Sequence, residues 1–201
     1  MSVSLSYPFV LASASPRREE LLRSLGLSFT ILPAHIDETW QEGETPAAHV
    51  RRLAREKAAA MAVKHPQAIV LGADTIVALD GLILGKPKNR KQAREMLQRL
   101  SGRTHTVFTG FALAQESRNV ATTRVVRSAV RFKVISPDEM RWYIASAEPY
   151  DKAGGYAAQG MGASFIKSIR GSYTNVIGLP VCEVLEELKK LDAVHFGGNR
   201  R

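Results

Sequence analysis

Leu11 to Leu22 reads Leu-Ala-Ser-Ala-Ser-Pro-Arg-Arg-Glu-Glu-Leu-Leu, which sets two hydroxyls and two guanidiniums where an apolar run gives way to a helix. Residues of these types at such a junction can hold a phosphate. Phe9 to Ala12 predicts a buried strand. Ser15 is suited to cap the following helix and Pro16 to be its first residue, where no backbone N–H is needed. The first turn of a helix carries unpaired N–H groups and a partial positive charge. Arg17 and Arg18 add two full charges to it. A capped surface helix with two solvated arginines would use the same residues, so this segment alone leaves both readings open.

Two carboxylates and two lysines extend the candidate chemistry. Asp74 closes the apolar run Ala68 to Ala73 and predicts a strand that ends in a carboxylate. Such a group costs free energy unless it is paired, hydrated or metal-bound, and strand ends are where α/β proteins hold their ligands. Capping a turn with neighbouring hydroxyls is the alternative. Glu38, in the loop Ile36-Asp37-Glu38-Thr39, is a second candidate or a plain acidic loop residue. Lys86 precedes Pro87, which biases it toward extended backbone; it could reach a phosphate or end in solvent. Lys57 lies beside Ala58, Ala59 and Ala60. Its stem could run along protein with the ammonium inward, although helix lysines mostly face solvent.

Periodicity supplies the elements that must position these groups. Leu21, Leu22 and Leu25 form the inner face of the first helix and Gly26 stops it. Phe29 to Leu32 predicts a second short strand. From Pro46 to about Lys64, Val50, Leu53, Ala54, Ala58 and Met61 share a helix face. Asp80-Gly81 signals a hairpin between two short strands. A helix from about Asn89 turns Ala93, Met96, Leu97 and Leu100 inward, with Gly102 as its stop. Thr104 to Ala114 predicts a strand. Val120 to Val134 alternates, with Val126, Val130, Phe132 and Val134 on one side and Arg127, Arg131 and Lys133 on the other. Ser136-Pro137-Asp138-Glu139 is a capping box. A glycine-rich segment, Ala153 to Gly162, precedes a strand over Ala163 to Ile169. Pro180 opens a last helix with Val181, Val184, Leu185 and Leu188 at helical spacing. Interspersed helices and strands with a long central hairpin predict an α/β fold with a mixed sheet.

The 201 residues suit one sizeable domain or two small lobes. With 45% hydrophobic and 23% charged residues the composition is that of a globular protein. A net charge of +9, spread along the chain, favours polyanionic partners without choosing among them. Cys182, the only cysteine, excludes an internal disulfide and a cysteine-based zinc site, and its apolar helical surroundings predict a buried thiol. The absence of a long apolar stretch and of a signal-peptide pattern predicts a cytoplasmic protein. No Walker-A pattern, dinucleotide fingerprint or nucleophile elbow occurs. The histidines show no paired zinc spacing.

Taken together, the segments Ala12 to Arg18, Ile36 to Thr39, Leu53-Ala-Arg-Glu-Lys57, Leu71-Gly-Ala-Asp-Thr75 and Gly85-Lys-Pro87 resemble the Maf family of nucleoside triphosphate pyrophosphatases. Ser101-Gly102, Asp151-Lys-Ala-Gly-Gly-Tyr-Ala-Ala-Gln-Gly160 and Val176-Ile-Gly-Leu-Pro180 continue the resemblance, which runs from about Phe9 to about Leu188. It implies an elongated, inosine-triphosphatase-like α/β fold, with a mixed sheet flanked by helices and two lobes around a central cleft. One domain would span 1–201, with 1–8 and 195–201 as flexible ends. It also implies a homodimer and hydrolysis of a nucleoside triphosphate to monophosphate and pyrophosphate, with a divalent cation such as Mg, Mn or Co. In that pattern Asp74 is the proton acceptor, Ser13, Arg18, Lys57 and Lys86 contact the triphosphate, and Glu38 stands with Asp74 at the metal. Arg17, Thr75 and Gln159 match the subgroup acting on dTTP and UTP. The 7-methyl-GTP subgroup has tryptophan, glutamine and glutamate there.

The residues' own chemistry agrees. Triphosphate hydrolysis needs mainly positioning and charge stabilisation, and two arginines, two lysines and a helix start supply the positive field. A carboxylate among cations is a weak base alone; a metal that acidifies water removes that obstacle. The amide of Gln159 both donates and accepts, which suits the edge of uracil or thymine. The alternatives are the same reaction on 7-methyl-GTP or another nucleotide, or a non-catalytic role in septum formation or nucleic-acid binding. A nucleic-acid groove has no need of Asp74 or Glu38, so such a partner is not expected, nor is a membrane.

Overall fold

The structure is a computed structural model and describes residues 2–197. The chain divides into two compact units: residues 2–74, 109–125 and 178–197, and residues 75–108 and 126–177.

In the first unit, β1 (Ser2–Leu5) precedes β2 (Phe9–Leu11), which leads into α1 (Pro16–Ser24), as the opening motif predicts. The short β3 (Thr30–Ile31) and then α2 (Pro46–Ala62) follow. Thr45 caps α2 by accepting from the Ala48 N–H, with Pro46 in the first turn. β2 pairs in parallel with both β3 and β4 (Ile69–Leu79). Beyond β4 the order continues through β6 (Thr104–Gln115) to β7 (Val120–Phe132), and the first unit holds residues 109–115 and 120–125 of these two strands. Every predicted inner residue of α2 is buried, and Ala54, Ala58 and Met61 join Val10, Ala12, Val70 and Ala112 in one core. Gly72 and Gly110 are what let α2 lie so close to the sheet. A Cβ on Gly72 would stand 2.3 Å from the Ala54 carbonyl oxygen, and one on Gly110 2.2 Å from that of Val50.

In the second unit, residues 75–79 of β4 turn at Asp80-Gly81 into β5 (Leu82–Leu84), which pairs antiparallel with Val77 to Leu79. Both turn residues have positive φ, 51° and 80°, as a two-residue hairpin requires. α3 (Arg90–Leu100) is capped by Asn89, and α4 (Pro137–Ala145) by the predicted Ser136–Glu139 box. β8 (Ile166–Arg170) pairs antiparallel with β7. Val77, Leu97, Val107, Val130, Phe132, Tyr143 and Phe165 share a core. The sheet is therefore mixed, with helices packed on it, as the pattern predicts.

Several expectations are corrected. β4 runs on through Leu79, so Asp74 is inside a strand and not at its end. β7 stops at Phe132, so Val134 lies beyond the strand and is 78% exposed instead of sharing the side of the buried Val130 and Phe132. Ala163 to Phe165 belong to a 3-10 turn, Met161–Phe165, and only Ile166 onward is strand. After α5 (Tyr173–Ile177), α6 (Val181–Lys190) buries Val184 and Leu188 but turns Cys182 to solvent. β1 pairs antiparallel with β9 (Val194–Gly197), and the rest of the C-terminal segment expected to be flexible, residues 198–201, lies outside the described residues. Among the described residues no helix is long and apolar enough to cross a membrane.

Candidate functional site

Five predicted residues come together in the first unit. Ser13 lies two residues past the end of β2, and its Oγ accepts from Arg18 Nη1 at 2.8 Å and from its own segment's Ser15 N–H at 3.3 Å. Ser15 occupies the cap position of α1, but its side chain makes no capping bond. The hydroxyl two residues earlier takes up that backbone instead. Arg18 is nearly buried at 8% exposure and its Nε donates to the Gly178 carbonyl at 2.9 Å. Burial pulls the Arg18 pKa down and the charge of Arg17 acts the same way, while Asp74 and Glu38 oppose it. A guanidinium held this way remains a cation, fixed at the start of a helix. Arg17 beside it is only half-buried.

Lys57 is turned inward, at 6% exposure, rather than out to solvent. Its Nζ lies 2.7 Å from Glu38 Oε1 and 2.9 Å from Asp74 Oδ1. One ammonium thus joins two carboxylates from segments far apart in sequence. It also explains how β4 carries a carboxylate in its interior, since a paired charge is tolerated where a lone one is not. Asp74 lies between the residues of β4 that pair with β2 (Ile69 to Leu71) and those that pair with β5 (Val77 to Leu79).

Glu38 sits in a loop without regular structure, and a network that no sequence motif announces anchors that loop. Arg52 of α2 grips Glu44 through Nε at 2.6 Å and Nη2 at 3.1 Å, and also donates to the Thr39 carbonyl at 3.0 Å. His49 Nδ1 lies 2.9 Å from Glu44 Oε2, and the rings of Trp40 and His49 stack with centroids 4.7 Å apart. The Arg52 hydrogen bonds bring the Glu44 carboxyl down to about 2. Asp37 closes the turn by accepting from the Thr39 N–H at 2.9 Å. The one sequence signal for this network is the spacing of Glu44, His49 and Arg52 around a helix start.

The remaining predicted residues lie in the second unit. Thr75 follows Asp74 and, by strand alternation, takes the opposite face, shared with Val77. Lys86 is exposed in the turn Gly85-Lys86-Pro87, whose Gly85 carbonyl accepts from the Gly154 N–H at 3.0 Å. Gln159 is also exposed, in the turn between Tyr156 and Met161, and neither side chain has a partner among the described residues. A Cβ on Gly154 would stand 3.1 Å from the Val77 side chain, so the backbone there lies close against Val77. Tyr156 is fixed in the core: its hydroxyl lies 2.7 Å from His105 Nε2 and its ring stacks edge-on against Phe132. Burial lowers His105 to about 4 and raises the Tyr156 hydroxyl, so the pair is neutral at ordinary pH.

No group of three or more metal-ligating side chains occurs among the described residues. Glu38 and Asp74 nevertheless present hard oxygen donors within reach of one shared cation, the Lys57 ammonium. Magnesium-like ions bind through one or two carboxylates plus substrate phosphates and water. The donor set fits that mode.

A model of the family described as Maf-like protein matches residues 8–191. A dTTP/UTP pyrophosphatase of Syntrophus aciditrophicus (strain SB) is 57% identical over 98% of this chain and 96% of its own length. Proteins of the same name from Myxococcus xanthus (strain DK1622) and Geobacter sp. (strain M21) are 52% and 50% identical, over 90% and 92% of this chain and 91% and 96% of their own lengths. Among solved structures, a HAM1 protein from Coxiella burnetii aligns with a TM-score of 0.49 at 19% identity, covering 92% of this chain and 98% of that one.

Proposed function

Since the chain belongs to the Maf family, we propose that it is a nucleoside triphosphate pyrophosphatase that converts dTTP and UTP to the monophosphate and pyrophosphate. The observation that carries this reading is the shared Lys57 ammonium between Glu38 and Asp74, with the buried Arg18 guanidinium electrostatically coupled to both carboxylates. A structural ion pair would need one carboxylate. Two carboxylates with two buried cations form a site that gains by taking up a polyanion together with a divalent cation.

The reaction joins a water oxygen to phosphorus and breaks the bridge between the α and β phosphates, so that pyrophosphate leaves. In this reading Asp74 accepts the proton that the attacking water loses. Lys57 holds Asp74 in place and offers its positive charge to the triphosphate. Arg18, its direction set by Ser13 and the Gly178 carbonyl, binds phosphate oxygens at the start of α1, where the helix dipole favours an anion. Glu38 and Asp74 would hold the divalent cation, which neutralises phosphate charge and acidifies water. Lys86 is assigned to the phosphate tail through Gly85-Lys86-Pro87. Arg17, Thr75 and Gln159 are assigned to choice of base through their match to the pyrimidine subgroup. A homodimer and a cytoplasmic location belong to the same reading.

Asp74→Asn keeps the shape of the side chain and removes the base. It should lower metal-supported pyrophosphate release from UTP at least ~100-fold with the melting temperature nearly unchanged. Near-normal turnover by the folded variant would overturn the assignment.

A further inference from the structure

Glu148 takes no part in the chemistry above, yet its carboxylate is gripped by three donors. Oε2 accepts from the Met161 N–H at 2.8 Å, and Oε1 accepts from the Gly162 N–H at 2.8 Å and from the Tyr143 hydroxyl at 2.9 Å. Met161 and Gly162 open the 3-10 turn Met161–Phe165, so the two backbone donors are the N–H groups a helix start leaves unpaired. The third donor leads into the core. Tyr143 of α4 is fully buried, with its ring edge-on to Phe165 at 5.0 Å.

Gly160 completes the clamp. A Cβ on Gly160 would stand 2.1 Å from Glu148 Oε2, so the carboxylate lies directly on the backbone of the residue after Gln159. On the other side of Gln159 the chain is fixed by Tyr156, bonded to His105 and stacked on Phe132. Gln159 therefore projects from a short span held at both ends. It is exposed and has no partner of its own among the described residues, so its direction comes from the backbone alone.

We infer that Glu148 is a positioning residue for base selection: by clamping Met161 and Gly162 it fixes the Gln159-Gly160 turn and hence the direction in which the Gln159 amide is offered. This rests on the reading of Gln159 as the group that meets the base. Converging N–H groups need two acceptor oxygens. A glutamine at 148 supplies one, and turns an NH2 toward the other donor. An aspartate is one methylene too short to span both.

The test compares kcat/KM for UTP and for 7-methyl-GTP in wild type, Glu148→Gln, Gln159→Glu and the double variant, with thermal melts of each. Glu148→Gln is expected to lower the UTP to 7-methyl-GTP ratio about tenfold. The double variant should show no further fall beyond Gln159→Glu alone, since the clamp acts through that side chain. A purely structural glutamate would scale both substrates equally, and that result overturns the inference. A shifted ratio in Gln159→Glu with none in Glu148→Gln leaves Gln159 as the base reader and removes the clamp. An unchanged ratio in Gln159→Glu removes the reading of Gln159, and a shift in Glu148→Gln would then act through another group, against the inference. Should Glu148→Gln not fold, Tyr143→Phe keeps both backbone bonds and the core ring; a smaller fall in the same ratio supports the clamp, and an unchanged ratio refutes it.

Discussion

Replacing Gly72 by alanine tests whether the packing of α2 on the sheet sets the chemistry of Lys57. A Cβ at position 72 would lie 2.3 Å from the Ala54 oxygen and 2.5 Å from the Ala58 nitrogen, both helix backbone that no rotamer change can move. Ordinary contact begins near 3.4 Å, so α2 must retreat by about 1 Å. Lys57 stands between those two residues, and its ammonium meets Asp74 at 2.9 Å. A retreat of that size stretches the pair to roughly 4 Å, the outer limit of an ion pair, and carries Lys57 away from Glu38 as well. Overpacking of this kind costs about 1–3 kcal/mol of stability, and a misplacement of about 1 Å can lower turnover on the order of 100-fold. Pyrophosphate release from UTP gives kcat, and thermal denaturation gives stability. Gly197→Ala, with nothing within 4 Å of the added Cβ, is the control. A Gly72→Ala protein with kcat within about twofold of wild type would refute the coupling of helix position to catalysis.

Two further outcomes follow from single residues. Lys86→Ala should weaken UTP binding by about 1.5–3 kcal/mol and UMP binding much less, because the side chain is assigned to the phosphate tail; equal losses in calorimetric titrations of both nucleotides would remove that assignment. Glu44 is held at about 2 against the usual 4.5 by Arg52, so its stabilisation is complete above pH 4.5 and is lost as pH falls from there through about 2. It should amount to about 1–2 kcal/mol once solvent screening is allowed for. Melting temperatures between pH 6 and pH 3 should fall less steeply in Arg52→Leu than in wild type, and parallel curves would contradict the role given to this pair.

The periodic parts of this fold are legible in the sequence, because periodicity is a local property. The inner face of α2, the Ser136–Glu139 box and the Asp80-Gly81 turn each depend on residues a few positions apart, and each is found as expected. The differences arise where distant groups decide. Asp74 reads as the end of a strand because a charge interrupts an apolar run. The strand continues because Lys57, seventeen residues away, satisfies that charge from the helix lying on it. Lys57 for its part reads as solvent-facing, since its local setting shows neither carboxylate. β1 and β9 pair residues separated by nearly the whole chain, and neither segment carries a strand signal strong enough to announce a partner. The apolar residues around Cys182 point to the core, yet the helix turns it outward while Val181 and Val184 take the interior. Glu148 is invisible for a different reason. Two of its three partners are backbone N–H groups, which every residue but proline possesses and no sequence motif marks. Arg52 is hidden in the same way: it lies outside every quoted motif, and its bonds to Glu44 and to the Thr39 carbonyl tie down the loop that carries Glu38.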